Sequence, residues 1–286
     1  MFTPFAFVKS TAAGAASFNP ELVANLYYWW DFTDSSNMTF SSGTTIATVS
    51  NKATRTSSNE TLNAITGAPT FTSAAEGSRF TTADAISNTS VAGTGGNLDT
   101  LFSNINSTVI WIGKAVTITN VDQFNDFLWG AAGTEINDAG GTISALTSGA
   151  QITKCSTDSA VSATFNRQIN YHDYNGSADV YFYRTYNSAS TDFTSDFNMV
   201  AWKLDWVGDT YNNTSIAVNT QGFCTLAGTL GNTTNNTFSN RGFKVNARSR
   251  DGATYSADQR IQHILIYNGL LSDGDLTTIY NSWEGI

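Results

Sequence analysis

Short apolar runs separated by polar turns recur along the chain, and this pattern constrains the fold more than any other feature. Val109–Ile112 and Ile261–Tyr267 are apolar at neighbouring positions, so both faces of these strands are predicted to be buried. Apolar and polar residues alternate in Val200–Trp206, which predicts a strand with one face exposed. Many short strands of these two kinds indicate an all-β fold.

Turn residues separate the predicted strands. Asn-Gly, Asp-Gly and Gly-Gly pairs supply the positive φ angles that tight hairpins need, and they occur at Gly95-Gly96, Gly140-Gly141, Asn175-Gly176, Asp251-Gly252 and Asn268-Gly269. Further strands are predicted at Val180–Tyr183, Ile216–Val218 and Phe243–Val245. Strands at this spacing favour a sandwich or barrel of antiparallel sheets.

One helix is predicted at the end of the sequence. Ser272 has the character of an N-cap, and Asp275 three residues later completes a capping-box pattern. Leu276, Ile279, Tyr280 and Trp283 then repeat at helical spacing. The sequence therefore predicts a short amphipathic helix that packs back onto the strands.

Residues 1–20 differ from the rest of the 286-residue chain. Small residues fill Ser10 to Ser17, and four phenylalanines flank them at Phe2, Phe5, Phe7 and Phe18. Two interpretations stay open: an apolar arm that anchors the protein to a neighbouring subunit or larger assembly, and a strand or tail of the main domain. Residues 21–286 are predicted to form one domain, because all-β domains reach this length and no linker divides them.

Charge and composition exclude several classes of partner. Charged residues make up only 13% of the chain, and the net charge is −9. We expect no nucleic-acid or membrane partner, because basic residues are not clustered and no run of 18 apolar residues occurs. We expect no secretion signal, since Lys9 follows the first apolar residues. Whether Cys155 and Cys224 pair is left open.

Two segments carry a resemblance to a known family. The stretch from Ile261 to Tyr280, which contains Tyr-Asn-Gly-Leu-Leu-Ser-Asp, resembles the closing strand and helix of concanavalin A-like lectin/glucanase domains of the laminin G-like group. Leu26 to Asp34 resembles their aromatic opening strand, and Thr108–Val116 and Phe197–Asp205 resemble two later strands. The resemblance covers about residues 21–286. It implies an antiparallel two-sheet jelly-roll sandwich with a short C-terminal helix, and it does not fix a function.

Enzymatic chemistry has little support in the sequence. Glucanases of this fold carry a Glu-x-Asp-x-Glu strand, which this chain lacks, and no Gly-x-Ser-x-Gly elbow occurs. A hydrolase that uses Asp205 and Asp209 is the remaining enzymatic alternative. The adjacent His172 and Asp173 are interpreted as structural residues of a strand edge. We therefore predict no catalytic residues.

Metal binding and sugar binding each have only local support in the sequence. Asp122, Asn125 and Asp126 loosely resemble a calcium-binding loop, but their spacing departs from the lectin pattern, so neither a metal site nor a cofactor is predicted. Tyr171 and Tyr174 lie beside the predicted turn at Asn175-Gly176 and are the best candidates for stacking on a glycan. Ordinary strand packing is the alternative for both.

Standalone domains of this kind, with an apolar arm and a surface rich in Ser, Thr and Asn, resemble bacteriophage virion proteins. We therefore expect a non-enzymatic virion structural protein, a capsid-decorating or head-fibre component exposed on the particle surface. Its partners would be other capsid or tail proteins and further copies of itself, with Phe2, Phe5, Phe7 and Phe18 as the assembly anchor. The alternative is a carbohydrate-binding adhesin of a tail fibre or cell surface that recognises a host glycan.

Overall fold

The computed structural model describes residues 18–54, 61–88, 106–117, 127–136, 142–143, 147–154, 166–174, 179–187, 193–204, 215–225, 227–229, 237–246 and 257–285. These residues form antiparallel β-structure and one helix near the C-terminus, so the all-β prediction and the helix are confirmed. Two 3-10 turns, η1 (Pro20–Leu22) and η2 (Ser35–Asn37), flank the first strand. No helix in this part of the chain is long and apolar enough to cross a membrane.

The strands are β1 (Leu26–Asp31), β2 (Met38–Ser42), β3 (Thr45–Ser50), β4 (Thr61–Thr66), β5 (Thr70–Ser73), β6 (Gly77–Phe80), β7 (Ala85–Ser87), β8 (Ser107–Thr117), β9 (Phe127–Ile136), β10 (Thr142–Ile143), β11 (Thr147–Lys154), β12 (Asn166–Tyr174), β13 (Asp179–Asn187), β14 (Asn198–Leu204), β15 (Ser215–Val218), β16 (Cys224–Thr225), β17 (Ala227–Thr229), β18 (Thr237–Val245) and β19 (Asp258–Asn268). The helix is α1 (Asp273–Glu284).

The last strand, β19, organises the sheet. One edge of β19 pairs with β1 and, further along, with β6, while its other edge pairs with β8 along nearly its whole length. The order then continues from β8 through β14 and β15 to β16. The first and last strands of the described chain are therefore neighbours.

Pairing continues through β6 and β5 to β3, then through β4 and β7 to β18. From β18 the order runs through β9, β11, β12 and β13 to β17. The sheet curls, so that buried side chains of β3, β4, β7 and β18 join those of β1, β8 and β19 in one apolar cluster. β12 and β13 pair from Tyr174 and Asp179 onward, on either side of the turn predicted at Asn175-Gly176.

The larger cluster is dominated by aromatic rings. Trp30 stacks on Phe243 with ring centroids 5.3 Å apart, and Phe243 stacks on Trp129 at 5.5 Å. Trp202 meets Trp129 edge to face. Burial of a side chain of this kind contributes about 1.5–3 kcal/mol to folding, so these rings supply much of the energy that holds the curled sheet closed.

A second apolar cluster covers the opposite face of the central strands. It contains Leu276 and Ile279 of α1, which pack against Ile110, Met199 and Leu265. The helix begins with the predicted capping box: the Ser272 hydroxyl accepts from the Asp275 backbone N–H, and the Asp275 carboxylate accepts from the Ser272 backbone N–H. The apolar stripe read from the sequence is thus the face that α1 buries.

The structure corrects one strand. β14 was predicted to have one exposed face, but Met199 and Ala201 are 1% and 0% exposed, and Val200 and Trp202 on its other face are both 0% exposed. The second apolar cluster, which α1 completes, covers the Met199 and Ala201 face. On that face of the described strand Lys203 is partly exposed, and its ammonium group lies 3.8 Å from the centre of the Phe223 ring.

Candidate functional site

The richest cluster of ionisable side chains among the described residues lies where β1 and β19 pair. Asp31 stands directly opposite His263 in the antiparallel register. Both residues are on the face that bears the second apolar cluster, and they are only 4% and 5% exposed. A carboxylate and an imidazole this deeply buried need partners, because an unsatisfied charge in such a place costs several kcal/mol.

Asp31 has a full set of partners. One carboxylate oxygen accepts from the Thr33 backbone N–H at 2.9 Å and the Thr33 hydroxyl at 2.6 Å, and it lies 3.3 Å from His263 Nδ1. The other oxygen accepts from Lys52 Nζ at 2.8 Å. Burial alone would raise the pKa of Asp31, but the hydrogen bond and charge of His263, with those from Lys52 and Thr33, hold it well below its ordinary value.

Lys52 joins this buried carboxylate to a more exposed one. Its ammonium group also donates to Asp34 at 3.0 Å and lies 4.5 Å from the centre of the Trp29 ring. Burial would lower the pKa of Lys52, but its hydrogen bonds to Asp31 and Asp34 raise it. Hydrogen bonds from Ser36 and Lys52 lower the pKa of Asp34. All three groups therefore keep their charges at neutral pH.

His263 stands between two different partners. Its Nδ1 atom lies 3.4 Å from Trp29 Nε1, which only donates, and 3.3 Å from an Asp31 oxygen, which only accepts at neutral pH. The Nδ1 atom can therefore form a hydrogen bond with only one of these two partners at a time. The Phe18 ring lies 4.5 Å from the His263 ring and 6.0 Å from that of Trp29. The imidazole is thus enclosed by aromatic side chains.

The contacts of this cluster join β1 to Lys52 and to β19, and its two carboxyl groups do not have the pair of protonation states that glycoside hydrolysis needs. That reaction needs one carboxyl group that keeps its proton at working pH and a second that is ionised. Asp31 and Asp34 share one lysine, and the pKa of each is lowered. Both carboxyl groups are therefore ionised at neutral pH.

The segment before β1 is fixed to the domain beside this cluster. The Asn19 backbone N–H donates to the Ser282 hydroxyl of α1 at 2.9 Å, and the Tyr267 hydroxyl donates to the Pro20 carbonyl at 2.8 Å. Glu21 accepts from the backbone N–H and the hydroxyl of Thr54, both at 2.6 Å. These hydrogen bonds therefore fix the start of the described chain to the domain.

The residues predicted as an assembly anchor fall on both sides of the start of the described chain. Phe18 is partly buried against Trp29 and His263 of its own chain. Phe2, Phe5 and Phe7 lie outside the described residues, as does the rest of the predicted arm before Phe18. An anchoring role for these side chains stays a prediction.

The predicted glycan-contact residues lie on β12. Tyr171 is in register with Ala150 of β11 and Phe182 of β13, and Tyr174 with Thr147 and Asp179. Their side chains are outside what the structure describes, so sugar contact stays a prediction.

The structure describes only some of the candidate residues for metal binding or catalysis. Asp122, Asn125 and Asp126 lie outside the described residues, as do Asp205 and Asp209. His172 and Asp173 lie within β12. Within the described ranges, no three His, Cys, Asp or Glu side chains are grouped so as to hold a metal ion.

Sequence reasoning missed the cluster of Asp31, Lys52 and His263. The available signal was an aspartate that ends an aromatic strand and a histidine inside an otherwise apolar one. Joining the two required the register of β1 on β19, which pairs residues more than 230 positions apart and which no local pattern reveals.

No family model matches the chain, and a search of curated proteins finds no match. Among solved structures, domain 4 of AbnA, an extracellular GH43 arabinanase from Geobacillus stearothermophilus in complex with arabinotriose, is similar with a TM-score of 0.48 and 12% identity, over 90% of this chain and 98% of that domain. Trypanosoma rangeli sialidase in complex with sialic acid gives 0.46 and 13%, over 92% of this chain and 33% of the sialidase.

A third structure, the Ruminococcus gnavus IT-sialidase CBM40 bound to alpha2,3 sialyllactose, gives a TM-score of 0.30 and 14% identity, over 66% of this chain and 92% of that one. The chain spans about one third of the length of the sialidase. All three TM-scores lie below 0.5, so these likenesses carry no argument about fold, substrate or activity.

Proposed function

We propose that this protein is a non-enzymatic structural protein of a bacteriophage particle, a capsid-decorating or head-fibre component. In this proposal residues 21–286 form a concanavalin A-like two-sheet jelly roll that faces outward, and the N-terminal arm joins it to the particle. The apolar layer on each side of β8, β14 and β19 supports a sandwich arrangement of this kind.

The observation that carries the proposal is the set of contacts that fixes Phe18 and Asn19 to the domain, directly after the predicted arm. Phe18 packs on His263 and Trp29, and Asn19 is hydrogen-bonded to Ser282 of α1. An apolar arm that starts from a fixed point transmits attachment to the whole domain. A freely hinged arm would hold the domain loosely and would order more chain on binding, at a greater entropic cost.

The ion pairs support the non-enzymatic part of the proposal. Arg79 makes a bidentate pair with Asp258 at 2.9 Å, and Arg260 pairs with Glu76. Together with the bridge from Lys52 to Asp31, these contacts match each of the three carboxylates with a cation. Such pairs hold strands together and have no evident catalytic use.

The test is recovery with virus particles. Particles banded on a density gradient, from cultures that express the full chain, should contain it in a fixed ratio to the major shell protein. Substitution of Phe2, Phe5 and Phe7 by Ser should remove the protein from the particle band while the soluble protein stays folded. Substitution of Phe40, an exposed phenylalanine on β2, by Ser is the matched control and should leave the ratio unchanged.

The adhesin alternative has its own readout in the same experiment. A chain that binds an array of immobilised glycans, and is absent from the particle band, would overturn the structural proposal. Loss of that binding on substitution of Tyr171 and Tyr174 by Ala would then assign the β12 and β13 hairpin as the sugar site.

A further inference from the structure

The Nδ1 atom of His263 faces two partners with opposite requirements. Trp29 Nε1 lies 3.4 Å away and only donates, so it requires an Nδ1 atom without a proton. An Asp31 oxygen lies 3.3 Å away and only accepts when ionised, so it requires an Nδ1 atom that carries a proton. Both distances are longer than the 2.8 Å from Asp31 to Lys52 Nζ. The protonation of the imidazole therefore selects the partner.

Asp31 keeps hydrogen-bond partners in either state of His263. The oxygen that faces the imidazole also accepts from the backbone N–H and the hydroxyl of Thr33, and the other oxygen accepts from Lys52. A protonated imidazole can thus add a donor without displacing Lys52, and a neutral one leaves no bare carboxylate behind. The pKa of Asp31 is held well below its ordinary value, so this carboxylate stays ionised between about pH 5 and 8, where imidazoles ordinarily titrate.

Trp29 also has an alternative partner. Its side chain is only partly buried, so water can replace His263 as the acceptor of the indole N–H. The Lys52 ammonium group lies 4.5 Å from the centre of the indole ring, and this contact does not use the N–H. Both partners of His263 are therefore satisfied with or without it, which is the condition for two accessible states.

The charges around the imidazole come from one connected set of groups. Among the described residues, His263 contacts Asp31 and, through Asp31, is joined to Lys52 and then to Asp34. Its other neighbours are uncharged: Trp29, its cross-strand partner Ile112 on β8, and Phe18, whose ring lies 4.5 Å away. An aromatic ring beside an imidazole favours its charged form.

We propose that His263 is a proton-controlled switch between β1 and β19, in which the neutral ring accepts from Trp29 Nε1 and the protonated ring donates to Asp31. In acid the histidine adds an ion pair between the two strands and releases the Trp29 N–H to water. The proton is exchanged with solvent, so no other reactant takes part. Phe18 packs on this ring directly after the predicted arm, so the charge changes where the start of the described chain is held.

The test is a pH titration of the full chain, labelled with ¹⁵N at tryptophan and histidine and followed by nuclear magnetic resonance from about pH 5 to 8.5. The chain has two histidines, so His172→Asn leaves His263 as the only imidazole signal, and Trp29→Phe assigns the Trp29 indole. We expect a bare Nδ1 atom at high pH and protons on both ring nitrogens at low pH. The Trp29 N–H should exchange with water about tenfold faster, relative to a free indole at the same pH, once His263 is protonated.

Two other indole groups serve as controls within the same sample. Trp111 Nε1 donates to Gln259 and Trp283 Nε1 donates to Gln262, each at 2.8 Å, and neither acceptor titrates. Their exchange, expressed in the same way, should stay constant over the whole range. His263→Gln, whose amide oxygen can accept from Trp29 at every pH, should make the Trp29 signal constant as well.

A matched pair of variants tests whether Asp31 is the second partner. Asp31→Asn removes the charge that attracts the protonated ring, so the Trp29 N–H should keep its bond until the proton concentration is about tenfold higher. Asp34→Asn removes a carboxylate that contacts Lys52 and not His263, so it should change that concentration by about twofold or less. Equal changes in the two variants would exclude Asp31 as the specific partner.

Three results on the parent chain would overturn the switch. An Nδ1 atom that carries a proton at pH 8.5 would mean that His263 always bonds to Asp31. An Nδ1 atom that stays bare down to pH 5 would mean that it always bonds to Trp29. A Trp29 N–H whose exchange is unchanged when His263 titrates would mean that the two groups are not coupled. None of these results bears on the particle test, because the switch does not depend on the proposed virion role.

Discussion

Two polar clusters lie on opposite faces of the central strands, and they are built from different kinds of side chain. The inner face bears the larger apolar cluster, and the outer face bears the second one. On the inner face, Gln259 accepts from Trp111 Nε1 at 2.8 Å and donates to Asn246 at 2.6 Å. On the outer face, Asp31, Lys52 and His263 form the charged cluster. Gln259 and Asn246 are 0% exposed, whereas Lys52 keeps 28% of its side chain exposed.

The difference shows how burial selects the chemistry of a network. In the core, amide groups satisfy one another without charge: Asn246 also donates to the carbonyls of Thr81 and Asp84, each at 2.8 Å. An ion at that position would lose its hydration, and few sets of protein partners offset that free-energy cost. At the outer face Lys52 and Asp34 reach water, so the buried charge of Asp31 is connected to solvent and its cost is smaller.

The largest expected effect is in the inner cluster. Gln259→Leu keeps the volume but leaves the Trp111 indole N–H and the Asn246 carbonyl without a partner, so we expect a loss of about 3–5 kcal/mol in the free energy of unfolding. Gln262→Leu, on the same strand at the partly exposed outer face, is the control and should cost about 1 kcal/mol. Urea unfolding of the two variants measures the difference. Equal losses would show that burial does not set the energy of these contacts.

An intermediate effect is expected in the outer cluster. Asp31→Asn keeps the shape but removes the charge that faces Lys52 and His263, which should cost about 2 kcal/mol. Asp34→Asn removes the exposed carboxylate of the same bridge and should cost about 0.5 kcal/mol or less. Thermal or urea unfolding at neutral pH gives both values. If Asp34→Asn lost more unfolding free energy than Asp31→Asn, the exposed carboxylate would contribute more to stability than the buried one.

The smallest expected effect is a dependence on pH that belongs to the outer cluster alone. The pKa of Asp31 is lowered in the folded protein from its ordinary value of 3.8, so the unfolded chain binds more protons in acid. The stability from Asp31 is complete above about pH 5 and is lost as the pH falls below 3.8 toward the folded pKa.

The measurement is the difference in unfolding free energy between the parent chain and Asp31→Asn. It should shrink by up to about 1.4 kcal/mol for each pH unit below 3.8. Gln259→Leu changes no charge, so its difference from the parent should stay flat over the same range. A gap for Asp31→Asn that does not narrow in acid would show that the contacts of Asp31 do not depend on its charge.

Local patterns were sufficient for the elements that close the chain. Apolar residues at neighbouring positions marked β8 and β19 as strands buried on both faces, and Ser272 with Asp275 marked the start of α1. These features depend on neighbours within a few residues, so the sequence carries them directly. β14 was misread because the covering of Ala201 depends on where the apolar layer completed by α1 lies, which the strand's own pattern does not contain.

The sequence by itself determined the periodicity of several strands, among them β8 and β19, and of the helix α1. Only the tertiary structure decided which polar residues meet. Trp29 reaches His263 across 234 residues, and Trp111 reaches Gln259 across 148. Such contacts follow from strand order and register, which are set by the packing of the whole curled sheet. A pattern of apolar and polar residues fixes the face on which a side chain lies and leaves open what lies opposite.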